Sequence, residues 1–483
     1  MRGAMSMGLS GLRRAFIVLP IAWTGAWLAY YAYTDTLRRS HIRERNKLLA
    51  ATVGDHVDYS KPATEAEKEA LKRRFASLKF AGRYWNPYVE WREQGAWEWA
   101  LWKMIFSTCT LKIFHNGGVP PERPIPDLPI ERPNFSLLFG PGVPGASGTS
   151  TPTTSSQAAA EKGIQSRQPA PHGPEGVLHP KGETAAVRTQ VGGEDVDVTD
   201  KLTMTWVNTP CFGNPAHTVQ LGQSTSYVTL DSLAILTDPA LSDRTIPSRL
   251  APQRLRPAPC TLDELRRVDV VLVSHNHYDH LDPEAVKELG DSCEWVVPIG
   301  VGDYLRTLGV TRVKELDWWE ETKHVLRRPG QKDRSYTITA VPLMHWSARS
   351  PMDTNATLWS AFHVKSDGDK PRSFIHLGDT GYSPTLFHAV GRVLGEVDLA
   401  AIPIGSYEPR WHLHLQHTDP EGAVRMAMQM NAKRSVGVHW GTWLMSDEAY
   451  NQPPIDLEIA RKKLQVSEDS FHVLPVGKTM IVE

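Results

Sequence analysis

The sequence has little cysteine and no marked excess of either charge. Four cysteines occur in 483 residues, and none of them forms a CxxC pair. We therefore expect neither a disulfide framework nor a cysteine-built zinc site. Lys and Arg (53) nearly balance Asp and Glu (54). Because a protein that grips nucleic acid over its whole surface needs a basic excess, we expect no nucleic-acid partner.

One segment near the N-terminus carries no charge at all. Residues Ala15–Thr34 read AFIVLPIAWTGAWLAYYAYT, long enough as a helix to cover about 30 Å, the thickness of a hydrocarbon core. The basic pairs Arg13-Arg14 and Arg38-Arg39 flank it, as at a bilayer surface. A cleaved secretory signal and a buried core helix are the alternatives. The expectation is a single transmembrane helix over residues 15–34.

The charge pattern around this segment bears on its location. Residues 1–34 contain arginine and serine but no acidic residue, which is typical of a mitochondrial presequence followed by an anchor. The larger number of basic residues after the segment favours keeping the bulk of the protein in the compartment of synthesis. We expect the protein to be located in the mitochondrial inner membrane, or otherwise in another intracellular membrane.

Composition divides the chain into five segments. The stretch from Gly140 to about Gly193 is rich in Gly, Pro, Ser, Thr and Gln and cannot bury enough apolar surface to fold alone. The tryptophans between Arg83 and Phe106 are expected either to pack in the core or to lie at a membrane interface, and the sequence favours the two interpretations equally. The expected segments are a basic tail (1–14), a transmembrane helix (15–34), a helical and Trp-rich extension (35–135), a disordered linker (136–200) and an α/β domain (202–483).

Within the α/β domain, four apolar runs of strand type end at a histidine or an aspartate. Such an arrangement is how a layered α/β protein builds a site at the carboxyl ends of its strands. The runs are Val268–Val273 before His275, Tyr336–Leu343 before His345, Phe374–Leu377 before Asp379, and Ser435–Val438 before His439. Helices are expected after the capping pairs Asp282-Pro283 and Asp419-Pro420, the first ending at Gly290.

The cluster His275-x-His277-x-Asp279-His280 carries the most specific chemical signal. Residues two apart on a strand point to the same side, so His275 and His277 can reach one ion. Asp279 and His280, beyond the strand end, can turn toward a second ion. Imidazole and carboxylate ligands suit zinc, so the sequence predicts a zinc site rather than a histidine-rich surface loop.

These residues lie in segments that resemble a known family. SHNHYDHLD at 274–282 is similar to the HxHxDH signature of the metallo-β-lactamase superfamily. Further segments resemble the N-acyl-phosphatidylethanolamine-hydrolysing phospholipase D family within it: LTDP at 236–239, AIPIGSYEPRW at 401–411, QHTDPEGAVR at 416–425, VHWGTW at 438–443 and RYWNPYVEW at 83–91. The resemblance implies an α/β protein with the four-layer αβ/βα metallo-β-lactamase sandwich over residues 202–483.

The resemblance also implies a ligand set. It places the first of two Zn²⁺ ions on His275, His277 and His345, and the second on Asp279, His280 and His439, with Asp379 bridging both. His417 matches a further active-site histidine near the substrate phosphate, so the expected catalytic residues are His417 and Asp279. Gln416 is the expected substrate-binding residue. The family further implies a homodimer.

The sequence departs from the family pattern in one place. Thr205-Trp206 normally leads directly into a Gly-His turn, but here residues 207–220 intervene and Gln223 replaces the histidine. Deleting Val207–Gln220 would restore TWLGQST. The segment is either a local insertion or a retained intron, and a transcript that contains it in full would exclude the intron.

The expected function is that of a membrane-anchored dizinc phosphodiesterase acting on a membrane phospholipid. It would hydrolyse N-acyl-phosphatidylethanolamine to phosphatidic acid and an N-acylethanolamine, a phospholipase D reaction. Two alternatives stay open: a hydrolase of the same fold acting on another phosphodiester or a lactone, and a non-catalytic membrane scaffold. An iron redox enzyme is less favoured, because the second position of the signature is a histidine rather than a glutamate.

Overall fold

The structure is a computed structural model of the chain. Side chains are described from residue 18 onward, except those of residues 19–20, 189–191, 194–196 and 202–206. The residues that the structure describes are 2–54, 62–94, 98, 101–102, 128, 131–135, 138, 189–191, 194–196, 202–206, 223–246, 248 and 251–482. Segment 207–220, whose origin the sequence leaves open, lies outside them.

The described elements alternate between strands and helices once the chain reaches the α/β domain. The first part of the chain contains α1 (Arg2–Val53), α2 (Glu65–Arg74), β1 (Lys79–Phe80), β2 (Arg83–Tyr84), β3 (Thr189–Val191), β4 (Glu194–Val196), β5 (Leu202–Trp206), β6 (Ser226–Leu230), β7 (Leu233–Thr237), β8 (Val270–Leu272), α3 (Pro283–Leu289), β9 (Glu294–Pro298), α4 (Val301–Thr307) and β10 (Val313–Leu316). The second part contains β11 (Glu321–Leu326), β12 (Arg334–Val341), β13 (Ala361–Ser366), β14 (Ser373–His376), α5 (Pro384–Leu394), β15 (Val397–Pro403), α6 (Arg410–Leu413), α7 (Pro420–Gln429), β16 (Ala432–Val438), α8 (Gln452–Leu464), β17 (Phe471–His472) and β18 (Thr479–Val482).

Within the described residues, two seven-stranded mixed sheets form the body of the domain. The first has the strand order β10-β9-β8-β7-β6-β5-β18, and the second has the order β11-β12-β13-β14-β15-β16-β17. In the first sheet, β7 to β10 are parallel neighbours, whereas β5, β6 and β18 pair antiparallel. In the second sheet, the antiparallel strands come first and β14 to β17 are parallel. Two mixed sheets of this kind, with helices between their parallel strands, agree with the expected α/β sandwich.

One buried hydrophobic cluster joins the two sheets. It includes Ile235 and Leu272 from the first sheet and Ile338, Phe362 and Phe374 from the second, all completely buried. Burying an aliphatic or aromatic side chain of this size contributes roughly 1.5–3 kcal/mol. The two sheets are therefore held face to face by their apolar side chains, which gives the strand ends a rigid base.

The four expected strands are present, each with somewhat different bounds. They are β8, β12, β14 and β16, and the polar residues predicted at their ends follow one to four residues later. Both expected helices are also present. Asp282 accepts a hydrogen bond from Glu284 N at the start of α3, which ends at Gly290, and Asp419 accepts one from Gly422 N at the start of α7.

The expected transmembrane segment lies within α1. In the described part of the chain, no helix combines enough length with enough apolar character to cross a bilayer. Thr24, Gly25 and three tyrosines in the segment reduce its mean hydropathy. The structure thus does not support the transmembrane helix over residues 15–34, and it extends the helix on both sides of that segment.

The C-terminal half of α1 belongs to the folded body. Arg38 and Ile42 are almost fully buried, and Arg45 donates to the carbonyl oxygens of Ala76 and Ser77 beyond α2. The described tryptophans of the Trp-rich stretch, Trp85, Trp91 and Trp102, are buried too. For these three, core packing is the correct interpretation.

The chain divides into two compact units, residues 1–133 together with 200–483, and residues 134–199. The second unit contains most of the expected linker, which lies largely outside the described residues. Within it, β3 and β4 form an antiparallel pair. The assignment of residues 136–200 as a linker stays a prediction.

Candidate metal centre

The strand ends of both sheets meet at one group of histidines and aspartates. The donor atoms of His275, His277 and His345 all lie within 4.8 Å of one another. A second group with the same spacing contains Asp279, His280, Asp379 and His439. The structure therefore brings together all seven residues that the sequence predicts as metal ligands.

The first group consists of three imidazoles. His275 Nε2 lies 2.8 Å from His277 Nδ1, and His345 Nε2 lies 3.4 Å from the same atom. Three imidazole nitrogens that lie this close together cannot all be satisfied by hydrogen bonds to one another. Their arrangement is suited to binding one cation. Burial lowers the pKa of His277 to about 4, against the opposing attraction of Asp279. A neutral imidazole is the form that binds metal.

Asp379 lies between the two groups. Its Oδ2 is 3.1 Å from His280 Nε2 and 3.9 Å from His345 Nε2, and its Oδ1 is 3.0 Å from His439 Nε2. The preceding Gly378 has φ of +61°, and a Cβ there would lie 2.3 Å from that of Ser274. Only glycine fits this turn, which aims the Asp379 carboxylate at both groups.

The donor set fits a divalent metal. Burial opposes ionisation of Asp279 and Asp379, but the neighbouring His280 outweighs it and holds the pKa of both carboxyls well below the usual range. Two ionised carboxylates are thus buried together. Asp379 Oδ1 is buried and accepts no hydrogen bond from any described group, although His439 Nε2 lies 3.0 Å away. Buried charges and orphaned acceptors of this kind are satisfied by coordinated metal.

Asp238 forms the base of the site. Its Oδ2 lies 2.8 Å from His280 Nδ1 and 2.7 Å from His376 Nε2, and it also accepts from Ser274 Oγ at 2.8 Å. Burial raises the pKa of Asp238, but His376 and His280 outweigh it and lower the value to about 2. A carboxylate behind a histidine orients the ring and strengthens it as a ligand. His376 contributes to this network as well.

The predicted ligand His345 is held in place by its own hydrogen bonds. Its Nδ1 lies 2.9 Å from the backbone oxygen of Gln416, so Nε2 faces the other ligands. The Asn86 side chain donates to the backbone oxygen of His345 at 2.7 Å, and Tyr88 Oη donates to that of Leu343 at 3.0 Å. The segment that carries His345 is therefore braced by the N-terminal extension.

Arg349 links the segment after His345 to the loop of the first ligands. Its guanidinium donates to the backbone oxygens of Asn276 and Leu281, both at 2.9 Å. The same group stacks on the rings of Tyr278 and Tyr304, at 4.1 and 4.3 Å from their centroids. Two ligand-bearing loops are thereby fixed to each other.

His417 lies beside the two groups of ligands. Its Nδ1 is 3.7 Å from Asp379 Oδ2, and its ring makes a T-shaped contact with the ring of His345, with centroids 5.3 Å apart. Burial lowers its pKa to about 4, against the attraction of Asp379, and its side chain is 12% exposed. A neutral imidazole that keeps contact with solvent is placed to meet a substrate at the centre.

Gln416 and Gln223 have roles that the sequence does not reveal. The Gln416 side chain donates to Gln94 Oε1 at 2.6 Å, so it contacts the N-terminal extension. Gln223, where the family has histidine, is buried and donates to Asp279 Oδ2 at 3.1 Å. Its Nε2 also lies 2.7 Å from His439 Nε2. The glutamine thus occupies the position of the missing histidine and contacts two of the ligands.

Sequence reasoning missed Asp238, Asn86 and Arg349 as parts of the site. For Asp238 a signal existed, because it directly follows the apolar run of β7 just as the ligands follow their strands. The other two act through contacts between distant parts of the chain. Asn86 lies in the segment RYWNPYVEW that resembles the family, but local sequence does not indicate which distant residue either of them contacts.

Comparisons with known proteins agree with this geometry. Residues 234–440 match the model of the beta-lactamase superfamily domain. The chain is 31% identical to "N-acyl-phosphatidylethanolamine-hydrolyzing phospholipase D, mitochondrial" of Saccharomyces cerevisiae over 80% of this chain and 73% of that protein. It is 36% identical to "N-acyl-phosphatidylethanolamine-hydrolyzing phospholipase D 1" of Caenorhabditis elegans over 53% of this chain and 73% of that protein.

A solved structure also aligns. Igni18, a metallo hydrolase of Ignicoccus hospitalis, is 18% identical, with a TM-score of 0.39 over 59% of this chain and 99% of its own. The family assignment depends on the two sequence relatives and the superfamily match rather than on this alignment. With its donor set of histidines and aspartates, the chain is a metal-dependent hydrolase of the metallo-β-lactamase fold and belongs to the N-acyl-phosphatidylethanolamine-hydrolyzing phospholipase D family.

Proposed function

We propose that the chain is a dizinc phosphodiesterase that hydrolyses N-acyl-phosphatidylethanolamine to phosphatidic acid and an N-acylethanolamine. The single observation that carries the proposal is the carboxylate of Asp379, which lies between two groups of buried donors. The names of the yeast and nematode relatives support the substrate, since both hydrolyse N-acyl-phosphatidylethanolamine by name.

The two groups of donors would hold one zinc ion each. His275, His277 and His345 would bind the first ion, and Asp279, His280 and His439 the second, with Asp379 contacting both. When bound, such a pair lowers the pKa of a water molecule from 15.7 to about 7 and offsets the charge of a phosphodiester under attack. Nitrogen and carboxylate oxygen donors without thiolates suit zinc.

His417 is the residue that we assign to the substrate. With its ring neutral, one nitrogen carries a proton that it can donate to a phosphoryl oxygen. Its neighbours Asp379 and His345 fix the ring beside the ligands. The 12% exposure of its side chain leaves an approach for the lipid phosphate.

We further propose that α1 associates with a membrane, and that this membrane is mitochondrial. Several large apolar side chains of α1 are about two-thirds exposed, among them Ile21, Trp23, Leu28 and Tyr33. Aromatic and aliphatic side chains of this kind bind at the lipid–water interface. The name of the yeast relative supports the organelle. Flotation with cardiolipin-containing vesicles tests the association, and light scattering tests the homodimer that the family resemblance implies.

The decisive experiment assays the purified full chain on N-acylated and on plain phosphatidylethanolamine, with metal analysis of the same sample. We expect about two zinc ions per chain and release of N-acylethanolamine. Asp379→Asn should lose metal and activity, whereas the exposed control Asp369→Asn should keep both. Full activity of Asp379→Asn would exclude the bridging role.

The assay also separates the proposal from its alternatives. Hydrolysis of a small phosphodiester or a lactone with no turnover of the lipid would indicate a different hydrolase on the same fold. Bound zinc without turnover of any of these substrates would favour a scaffold.

A further inference from the structure

A cavity of about 360 Å³ lies between the N-terminal helices and the helix that follows the Asp379 loop. Its walls come from α1, α2, the loop containing Val89, and α5. The apolar part of the lining consists of Leu49, Leu71, Phe75, Val89, Pro384 and Ala389. None of the predicted metal ligands is among the lining residues. Volume and lining are those of a site for a small amphipathic molecule.

One of the polar side chains at this cavity is the buried guanidinium of Arg74. Arg74 is only 5% exposed, yet no carboxylate lies within 4.0 Å of it in the described part of the chain. Its recorded partners are neutral: the side-chain oxygen of Asn46 and, at 2.9 Å, the backbone oxygen of Pro87. Burial lowers the pKa of Arg74 to about 10. A buried cation without an anionic partner is costly, and folded proteins rarely keep one without a counter-charge.

The other charged groups at the cavity have partners of their own. Arg392 forms two hydrogen bonds with Glu67, at 2.7 and 2.8 Å. Glu90 accepts from Ser383 Oγ at 3.2 Å and lies at the solvent-exposed side. Among the described residues, Arg74 is therefore the cation of this cavity without a salt-bridge partner, and Glu90 acts on it only from a greater distance.

We propose that this cavity binds a single-chain amphiphile with an anionic headgroup, either a carboxylate or a phosphate monoester. The head would pair with the Arg74 guanidinium, which presents several N–H donors in one plane. The apolar chain would lie against Leu49, Leu71 and Phe75. The site is separate from the metal centre and does not depend on the proposed substrate.

Binding to the purified full chain tests the proposal, with each probe kept below its critical micelle concentration. Dodecanoate and dodecyl phosphate should bind and raise the melting temperature, and the stronger of the two identifies the headgroup. Dodecanol, inorganic phosphate and the zwitterion dodecylphosphocholine should each bind at least about tenfold more weakly. Asp379→Asn, altered at the metal centre, should bind both anions as the parent does.

Two variants address the site directly. Arg74→Gln removes the charge and should weaken both anions about tenfold or more. Val89→Trp should block the cavity, since Val89 lines it and is 56% exposed, so that the larger ring adds little strain to the core. Val325→Trp, at an exposed position on β11, is the matched control and should bind normally.

Several results would overturn the proposal. These are the absence of saturable binding by either anion, equal binding of dodecanol or dodecylphosphocholine, or unchanged binding in Val89→Trp. If Arg74→Gln fails to fold, the comparison of Val89→Trp with Val325→Trp decides the question alone.

Discussion

Asp238 fixes the tautomers of two histidines beneath the metal centre. A carboxylate that faces His280 Nδ1 and His376 Nε2 requires both nitrogens to donate. The free lone pair of His280 is then on Nε2, the atom that faces Asp379. One buried carboxylate thus decides which nitrogen a ligand presents.

Asp238→Asn should lower metal affinity by about 10–100-fold, because an amide keeps the size of the side chain but can donate where the carboxylate only accepts. Competition with a chromophoric chelator measures the affinity. Asp243→Asn, at a partly buried position of the same loop, is the control and should bind metal as the parent does. Unchanged affinity of Asp238→Asn would mean that Asp238 does not orient His280.

Gln223→Ala should weaken metal binding about tenfold or more, because Asp279 loses the amide that donates to it at 3.1 Å. Gln223→His restores the usual family residue and should keep activity within a few-fold of the parent. Both are measured by metal titration and lipid hydrolysis. An equal loss of metal affinity and activity in the two variants would show that only glutamine fits at this position. Unchanged metal affinity and activity in both variants would mean that Gln223 does not contribute to the site.

At the scale of elements, α1 holds the loop that supports the ligand His345. Arg38 donates to the backbone oxygens of Asn86, Tyr88 and Trp91 and also pairs with Asp35. Asn86 in turn donates to the backbone of His345. The helix therefore supports the metal centre through a single intervening loop.

Arg38→Met should lower the free energy of unfolding by about 3 kcal/mol or more, since three buried carbonyl groups lose a charged donor. Lipid hydrolysis should fall as well, because the loop behind His345 loosens. Urea unfolding and kcat of the folded fraction measure the two effects. Arg39→Met is the matched control: Arg39 pairs with the same Asp35 but is exposed. An equally large loss of stability and activity in Arg39→Met would contradict the role of the buried Arg38 in supporting the loop.

Asp419→Ala should destabilise the fold by about 0.5–2 kcal/mol, since α7 loses the cap that accepts from Gly422 N at 2.8 Å. Asp419→Asn keeps an acceptor and should recover most of the loss. Urea unfolding compares the two. Because α7 begins just after His417, a loss of activity without a loss of stability would instead place Asp419 in the site.

For the whole molecule, metal binding and stability should be coupled. Without a metal ion, only the neighbouring imidazoles, such as that of His280, offset the two buried carboxylates of Asp279 and Asp379. Chelation should therefore lower the melting temperature. Each tenfold rise in free zinc above the dissociation constant should restore about 1.4 kcal/mol per site. Asp379→Asn should show little response to zinc, and a parent protein insensitive to chelator would refute the coupling.

The sequence predicts those parts of the molecule whose signals are local. A strand followed within four residues by His275, His345, Asp379 or His439 predicts both an element and a ligand, and the pair Asp419-Pro420 predicts a helix start. These signals depend on strand periodicity and capping, which need only a few neighbouring residues.

Long-range contacts escape such reasoning. Arg38 meets a loop about 50 residues away, and Asn86 meets His345, 259 residues away. Asn86 lies in a segment that resembles the family, but the neighbours of these two residues do not indicate their distant partners. At residues 15–34, by contrast, a local signal led to the prediction of a transmembrane helix that the structure does not support. Lack of charge alone does not distinguish a membrane span from a long helix that is only moderately apolar.

The burial of Arg38 sets a limit on proteolytic maturation. A peptidase that removes a targeting leader must cut before Asp35 if the enzyme is to stay intact, since the stretch from there to Leu49 is built into the body. Cleavage further along would detach the support of His345 and one wall of the Arg74 cavity together. The mature N-terminus of the active enzyme should therefore fall upstream of residue 35.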